Sequence, residues 1–200
     1  MFLASLAAFA HRRIREYPVS GGASTYRESV TVPADLRRWS EQLLRSADWS
    51  GAAMVEFRRC ARSGTAYLME VNARLWGSLQ LAIDAGVDFP TMLVKLALGN
   101  KVEPVTAYRT GVRSRWFWGD IDHLIDRLRY SPTELDLSTL APSRLRLLLT
   151  FVAVVPGRDR FEVLDLSDPK PFVLETRRWL ARRIAPVLRR LAAPRAGHGR

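Results

Sequence analysis

The sequence predicts an α+β fold, an antiparallel sheet flanked by helices and followed by a mostly helical extension. Three observations predict it. Two short segments rich in β-formers, residues 52–59 and 66–74, are joined by a turn around Ser63-Gly64. Two helical stretches, 76–85 and 90–98, each run into a closing glycine, Gly86 and Gly99. A long amphipathic stretch, 171–191, places Phe172, Leu174, Trp179, Leu180, Ile184 and Leu188 near one stripe.

The elements follow in order. Residues 2–16 read as a strand, apolar and buried over 2–10, that turns polar at His11. Pro18 and Gly21-Gly22 break it into a loop. Residues 25–32 read as a second strand, β-branched near its end, and Pro33 opens a helix with Leu36, Trp39, Leu43 and Leu44 at helical spacing. After the two hairpin strands and two helices, composition changes at Asn100. Beyond it a strand is expected at 112–117, with helices near 120–129 and 143–153. The chain divides on this reading into 1–100, a helical or mixed extension 101–192, and a disordered tail 193–200.

Composition narrows the function classes. The chain has 200 residues, 48% of them hydrophobic, and one cysteine, Cys60. That excludes an internal disulfide and a cysteine-based metal cluster, and fits a reducing cytoplasm. The apolar N-terminus lacks a basic region ahead of it, so it does not read as a secretory signal. No stretch reaches the roughly 18 uninterrupted apolar residues of a spanning helix. The net charge of +11 is concentrated late, with eight arginines and no acid over 177–200. No zinc-finger spacing, RNA-recognition signature or basic-aromatic repeat accompanies it, so no nucleic-acid partner is expected. Contact of the C-terminal helix with an anionic membrane surface ranks below docking of its Trp/Leu stripe on the domain.

The informative stretch is Val55-Glu56-Phe57 followed by Met69-Glu70-Val71-Asn72-Ala73-Arg74. Strand side chains alternate, so Glu70, Asn72 and Arg74 are expected on one face. A turn centred on Ser63 places Glu56 opposite Glu70 and Met54 opposite Asn72. The other face carries Val55, Phe57, Tyr67, Met69 and Val71, suited to packing. Opposed carboxylates about 5 Å apart at Cβ destabilise each other unless a cation intervenes. Mg²⁺ or Mn²⁺ resolves the conflict with oxygen ligands, Asn72 adding a neutral third, and Mg²⁺ keeps positions for nucleotide phosphates. The simpler reading is a solvated hairpin in which Arg58 and Arg74 neutralise the glutamates.

This hairpin resembles the metal-binding strands of the ATP-grasp superfamily, in which an acidic residue and then Glu-x-Asn hold two Mg²⁺ against ATP. Glu56, Glu70 and Asn72 match those positions, and Arg74 matches the arginine of the biotin carboxylase branch. Glu-Val-Asn-Ala-Arg-Leu-Trp-Gly-Ser is similar to predicted carboligases related to the carbamoyl phosphate synthetase large chain. The resemblance covers about residues 1–100, the C-terminal, metal-binding half of an ATP-grasp domain. It implies ATP and Mg²⁺ (or Mn²⁺) as cofactors and a carboxylate activated as an acyl phosphate. An amine or similar nucleophile then displaces the phosphate, so the partners are small-molecule carboxylate and amine substrates. Metal would sit on Glu56, Glu70 and Asn72, with Arg74 as the catalytic cation.

The resemblance also implies roles for His11, Arg13 and Arg15, which alternate onto one strand face, and for Gly21 and Gly22 of the loop that follows. These would meet phosphates or the second substrate, since guanidinium forks match both. A surface strand with a plain Gly-Gly turn explains the same residues. Ser78 is placed to N-cap the next helix and aim backbone N–H groups at an anion. Trp76 reads as a packing residue, His123 as structural, and Asp120 and Asp122 as helix N-terminal carboxylates. The superfamily's Rossmann-like and lid segments have no counterpart before Met1. The expectation is a fragment, or a chain whose missing N-terminal half comes from a partner, inactive when alone. A non-catalytic interaction module and a basic nucleic-acid-binding protein are the alternative readings.

Overall fold

The computed structural model describes residues 5–137 and 142–192, with side chains through residue 185. In chain order the elements are β1 (Ala10–Tyr17), β2 (Ala23–Val30), α1 (Ala34–Ser46), β3 (Met54–Arg59), β4 (Ala66–Asn72), α2 (Leu79–Ala85) and α3 (Phe89–Ala97). There follow β5 (Arg113–Arg115), α4 (Phe117–Arg129), α5 (Arg144–Val152), β6 (Asp159–Phe161) and α6 (Lys170–Ala192). The expected α+β class is what the chain adopts. One four-stranded sheet has the order β1-β2-β5-β6, and β3-β4 form a separate hairpin. The β1-β2 and β2-β5 pairs are antiparallel, whereas β6 runs parallel to β5. Strands from both sides of Asn100 therefore share one sheet.

Two expectations change at the N-terminus. Residues 5–9 are not strand; the apolar run makes only an isolated bridge, Ala7 to Val105. Its side chains pack instead on the segment before β5, with the Phe9 and Tyr108 rings 5.0 Å apart. The Ala10 amide donates to Tyr108 Oη at 3.1 Å. The second strand starts two residues earlier than expected and stops at Val30, because Pro33 already caps α1. The three-residue β6 was not expected, being too short to show alternation.

The centre of the sheet is polar. Residues 24–29 of β2 are all buried, yet read Ser-Thr-Tyr-Arg-Glu-Ser. Buried polar groups need partners, and the flanking elements supply them. Glu28 accepts from Arg12 on β1 at 2.6 and 2.9 Å and from Arg113 on β5 at 3.0 Å. Tyr26 Oη donates to Asp159 at 2.6 Å, and Arg27 pairs with Glu162. Asp120 of α4 is fully buried and takes Arg15 through two bonds, Nε at 2.6 Å and Nη2 at 2.7 Å. Thr25 Oγ1 donates to the same carboxylate at 3.3 Å, and Arg115 lies 3.5 Å from it. The Tyr26 ring sits between the Arg15 and Arg115 guanidinium carbons, 4.4 and 4.7 Å from its centroid. By contrast the apolar cluster is small: Leu81, Ala85 and Val112, flanked by Phe9 and Tyr108.

Helix α6 docks on α4 through aromatics. Trp118 stacks on Trp179 at 4.2 Å, and Phe117 meets Phe172 at 5.7 Å. Each indole nitrogen finds an acceptor: Trp116 on Glu175 at 2.5 Å, Trp118 on Thr176 at 2.9 Å and Trp179 on Asp122 at 2.8 Å. The expected Trp/Leu stripe is thus corrected. Phe172 and Trp179 pack, while Leu174, Leu180 and Ile184 stay exposed. Leu188, residues 1–4 and the tail 193–200 fall outside the described side chains. No described helix is long and apolar enough to cross a membrane.

Removing one partner of a buried ion pair strands the other, at a cost of about 3–5 kcal/mol. Asp120→Asn is expected to lower unfolding stability by about that amount, read as a lower urea midpoint. An unchanged midpoint would show that Asp120 does not organise the sheet.

Candidate functional site

The hairpin register near the strand ends is as expected: Met54 faces Asn72, Val55 faces Val71 and Glu56 faces Glu70. Opposed residues of an antiparallel pair share a face, so both glutamates stand on one side. Beyond Glu56 the register shifts, Phe57 facing Leu68, which leaves Met69 as the extra residue. The apolar face is consequently not packed throughout. Phe57 meets Trp39 at 6.4 Å, but Tyr67, Met69 and Val71 are exposed.

Asn72 Nδ2 donates to Glu70 Oε1 at 2.6 Å, tying the second and third oxygen-bearing groups together. Glu56 is neutralised from outside the hairpin, by Arg13 Nη2 at 2.5 Å, and not by Arg58 or Arg74. Arg74 departs from its expected place. Strand β4 ends at Asn72, so the alternation does not reach it, and its guanidinium donates to the Leu75 carbonyl at 3.0 Å.

The β1 side is divided by a bulge. Arg13 pairs with Arg27, but Arg15 pairs with Tyr26, so Ile14 is an inserted residue. Neighbouring residues of β2 point to opposite faces, and the insertion sends Arg13 and Arg15 to opposite faces too. This corrects their expected grouping. Arg13 goes with His11 towards the hairpin, while Arg15 is buried on Asp120, to which its Nε and Nη2 both donate. Arg13 is further held by the Gly22 carbonyl, which accepts from Nη1 at 3.0 Å. The loop glycines have steric reasons for their identity. Gly21 has φ +140°, and a Cβ on Gly22 would lie 2.3 Å from the Tyr17 carbonyl oxygen.

Ser78 occupies the N-cap position of α2 without capping it; its hydroxyl lies 3.4 Å from His11 Nε2. Trp76 packs edge-on against Phe89 at 5.3 Å. Arg27, overlooked in the sequence, is buried on the His11–Arg13 face and paired with Glu162. A charged residue at the centre of β2 was the available signal, since such strands carry charge only where a partner meets it.

The donor set suits a hard divalent cation: two opposed carboxylates and a carboxamide oxygen. Among the described residues, no group of three or more His, Cys, Asp and Glu side chains is arranged to hold a metal. The hairpin has two such residues plus Asn72, which leaves coordination positions for oxygens from a ligand. Arg13 supplies the positive charge that now faces Glu56, and Arg13 and Arg27 make the facing wall cationic. That combination, carboxylates on one side and guanidinium groups on the other, favours a phosphate bridged to a metal.

Burial and the charges of Arg27 and Arg13 push the His11 imidazole down to about 4 from its usual 6.5. The unfolded chain therefore takes up this proton first, and stability falls as pH drops from about 6.5 towards 4. An NMR titration should place the His11 midpoint about 2.5 units below the ordinary value (6.5 − 4). A midpoint near 6.5 would mean that the imidazole is neither buried nor faced by the guanidinium groups.

Comparison with known proteins identifies one family. A family model described as "ATP-grasp in the biosynthetic pathway with Ter operon" matches residues 7–119. Neither curated proteins nor solved structures gave a match. The matched segment contains both β1–β2 and the hairpin, together with β5 and the first turn of α4. With more than half of its residues inside that match, the chain belongs to the ATP-grasp family of ligases.

Proposed function

We propose that this chain provides the metal- and phosphate-binding surface of an ATP-dependent ligase that activates a carboxylate as an acyl phosphate and passes it to an amine or similar nucleophile. The observation that carries the reading is the opposition of Glu56 and Glu70 on one hairpin face, with Asn72 bonded to Glu70 at 2.6 Å.

Glu56, Glu70 and Asn72 would hold Mg²⁺ (or Mn²⁺), which would offset nucleotide phosphate charge when bound. Arg13 lies beside Glu56 and is the guanidinium best placed to exchange its carboxylate partner for a phosphate oxygen. His11 stays neutral in this cationic wall and can accept or donate a hydrogen bond without adding charge. Arg74, exposed two residues past the last ligand, is the second cation available for charge developing on the transferred phosphoryl group. Arg15 has no part in these steps, because Asp120 occupies it.

Phosphoryl transfer of this kind depends on positioning and charge neutralisation more than on covalent groups of the protein.

Glu70 is exposed, so Glu70→Gln should leave folding intact. In the complete enzyme it is expected to reduce Mg–ATP turnover by more than the roughly 100-fold that losing a hydrogen-bond partner of a metal ligand costs. Turnover equal to the unmodified enzyme would refute the assignment of the hairpin as the metal site.

A further inference from the structure

Helix α4 carries two buried polar side chains one turn apart, His123 and Arg127, which are 8% and 5% exposed. Their i,i+4 spacing puts them on one helix face. His123 Nδ1 lies 2.8 Å from the Glu16 carbonyl oxygen of β1. A carbonyl only accepts, so Nδ1 carries the proton and the neutral ring presents Nε2 as a bare acceptor.

Arg127 is the unusual member. Its Nη2 donates to the Pro142 carbonyl, and no carboxylate among the described residues pairs with it. The charged neighbour acting on it is another guanidinium, Arg144. A guanidinium this deep is ordinarily matched by an anion. The other buried arginines here follow that rule, Arg15 and Arg115 on Asp120 and Arg27 on Glu162.

Both side chains border a cavity of about 190 Å³ between β1 and α4, which Glu16, Ile14 and Val19 also line. It is smaller than the roughly 300–1,000 Å³ of drug-sized pockets, so it suits a molecule of a few heavy atoms. One wall offers Arg127, which has no carboxylate partner among the described residues; another offers Glu16, whose carboxylate meets Arg13 at 3.3 Å. Arg13 lines the cavity as well, and through its bond to Glu56 it joins this space to the hairpin.

We propose that the cavity binds a small zwitterion, an α-amino acid, with its carboxylate on Arg127 and its ammonium group on the Glu16 carboxylate and His123 Nε2. Its role as the amine substrate rests on the ligase reading above; its binding does not.

The test is an NMR titration of the 200-residue chain without nucleotide, following the His123 imidazole with L-alanine, acetate and ethylamine as probes. L-alanine should shift the signal saturably, at a concentration at least about ten-fold lower than either half-molecule, since each charged hydrogen bond is worth about that factor. Arg127→Met should weaken L-alanine by about ten-fold or more, and Arg127→Lys, which keeps the charge, by less. Should Arg127→Met fail to fold, Glu16→Gln replaces it and is expected to erase the advantage of L-alanine over acetate. Overturning results are no saturable shift with L-alanine, acetate binding as well as L-alanine, or wild-type L-alanine affinity in a folded variant. With no nucleotide in the tube, none of these outcomes depends on the hairpin carboxylates.

Discussion

One buried carboxylate ties three of the four sheet strands to helix α4. Asp120 is fully buried, and it collects Arg15 from β1, Arg115 from β5 and Thr25 from β2. Such a charge would be prohibitive without its partners, so the elements that bring them cannot be independent. The same holds for Glu28, which joins Arg12 to Arg113 across three strands. Ion pairs, more than the small Leu81–Ala85–Val112 cluster, specify which strands lie side by side.

That constraint also divides labour along β1. With the inserted residue Ile14, a single strand serves two surfaces, Arg15 supporting the sheet and Arg13 meeting the hairpin. Bulges are a common way to re-aim one side chain near a site. Here the re-aimed pair explains how two arginines separated by one position can differ so completely in exposure.

Local patterns carried much of this in the sequence. The hairpin was legible because alternation and a Ser-Gly turn set its register, and Glu56 opposite Glu70 followed from counting. The bulges did not follow. Ile14 and Met69 look like ordinary strand residues, and nothing in their neighbours marks an insertion. Arg74 was misplaced because a strand's end depends on hydrogen-bond partners, which alternation does not encode. Asp120 read as a helix N-terminal carboxylate, which it is by position, yet its partners lie far away in sequence and only the fold brings them in. The exposed apolar residues of α6 were assigned to packing since a helical stripe does not say which of its edges meets a neighbour.

The proposed metal-bound phosphate would lie between the hairpin face and Arg13. Paramagnetic broadening by Mn²⁺–ATP tests it most directly. Backbone amides of Glu56, Glu70 and Asn72 should vanish first, followed by Arg13 and its neighbours in β1, while those of α6 keep their intensity. Broadening centred on α6, or uniform broadening across the chain, would contradict it.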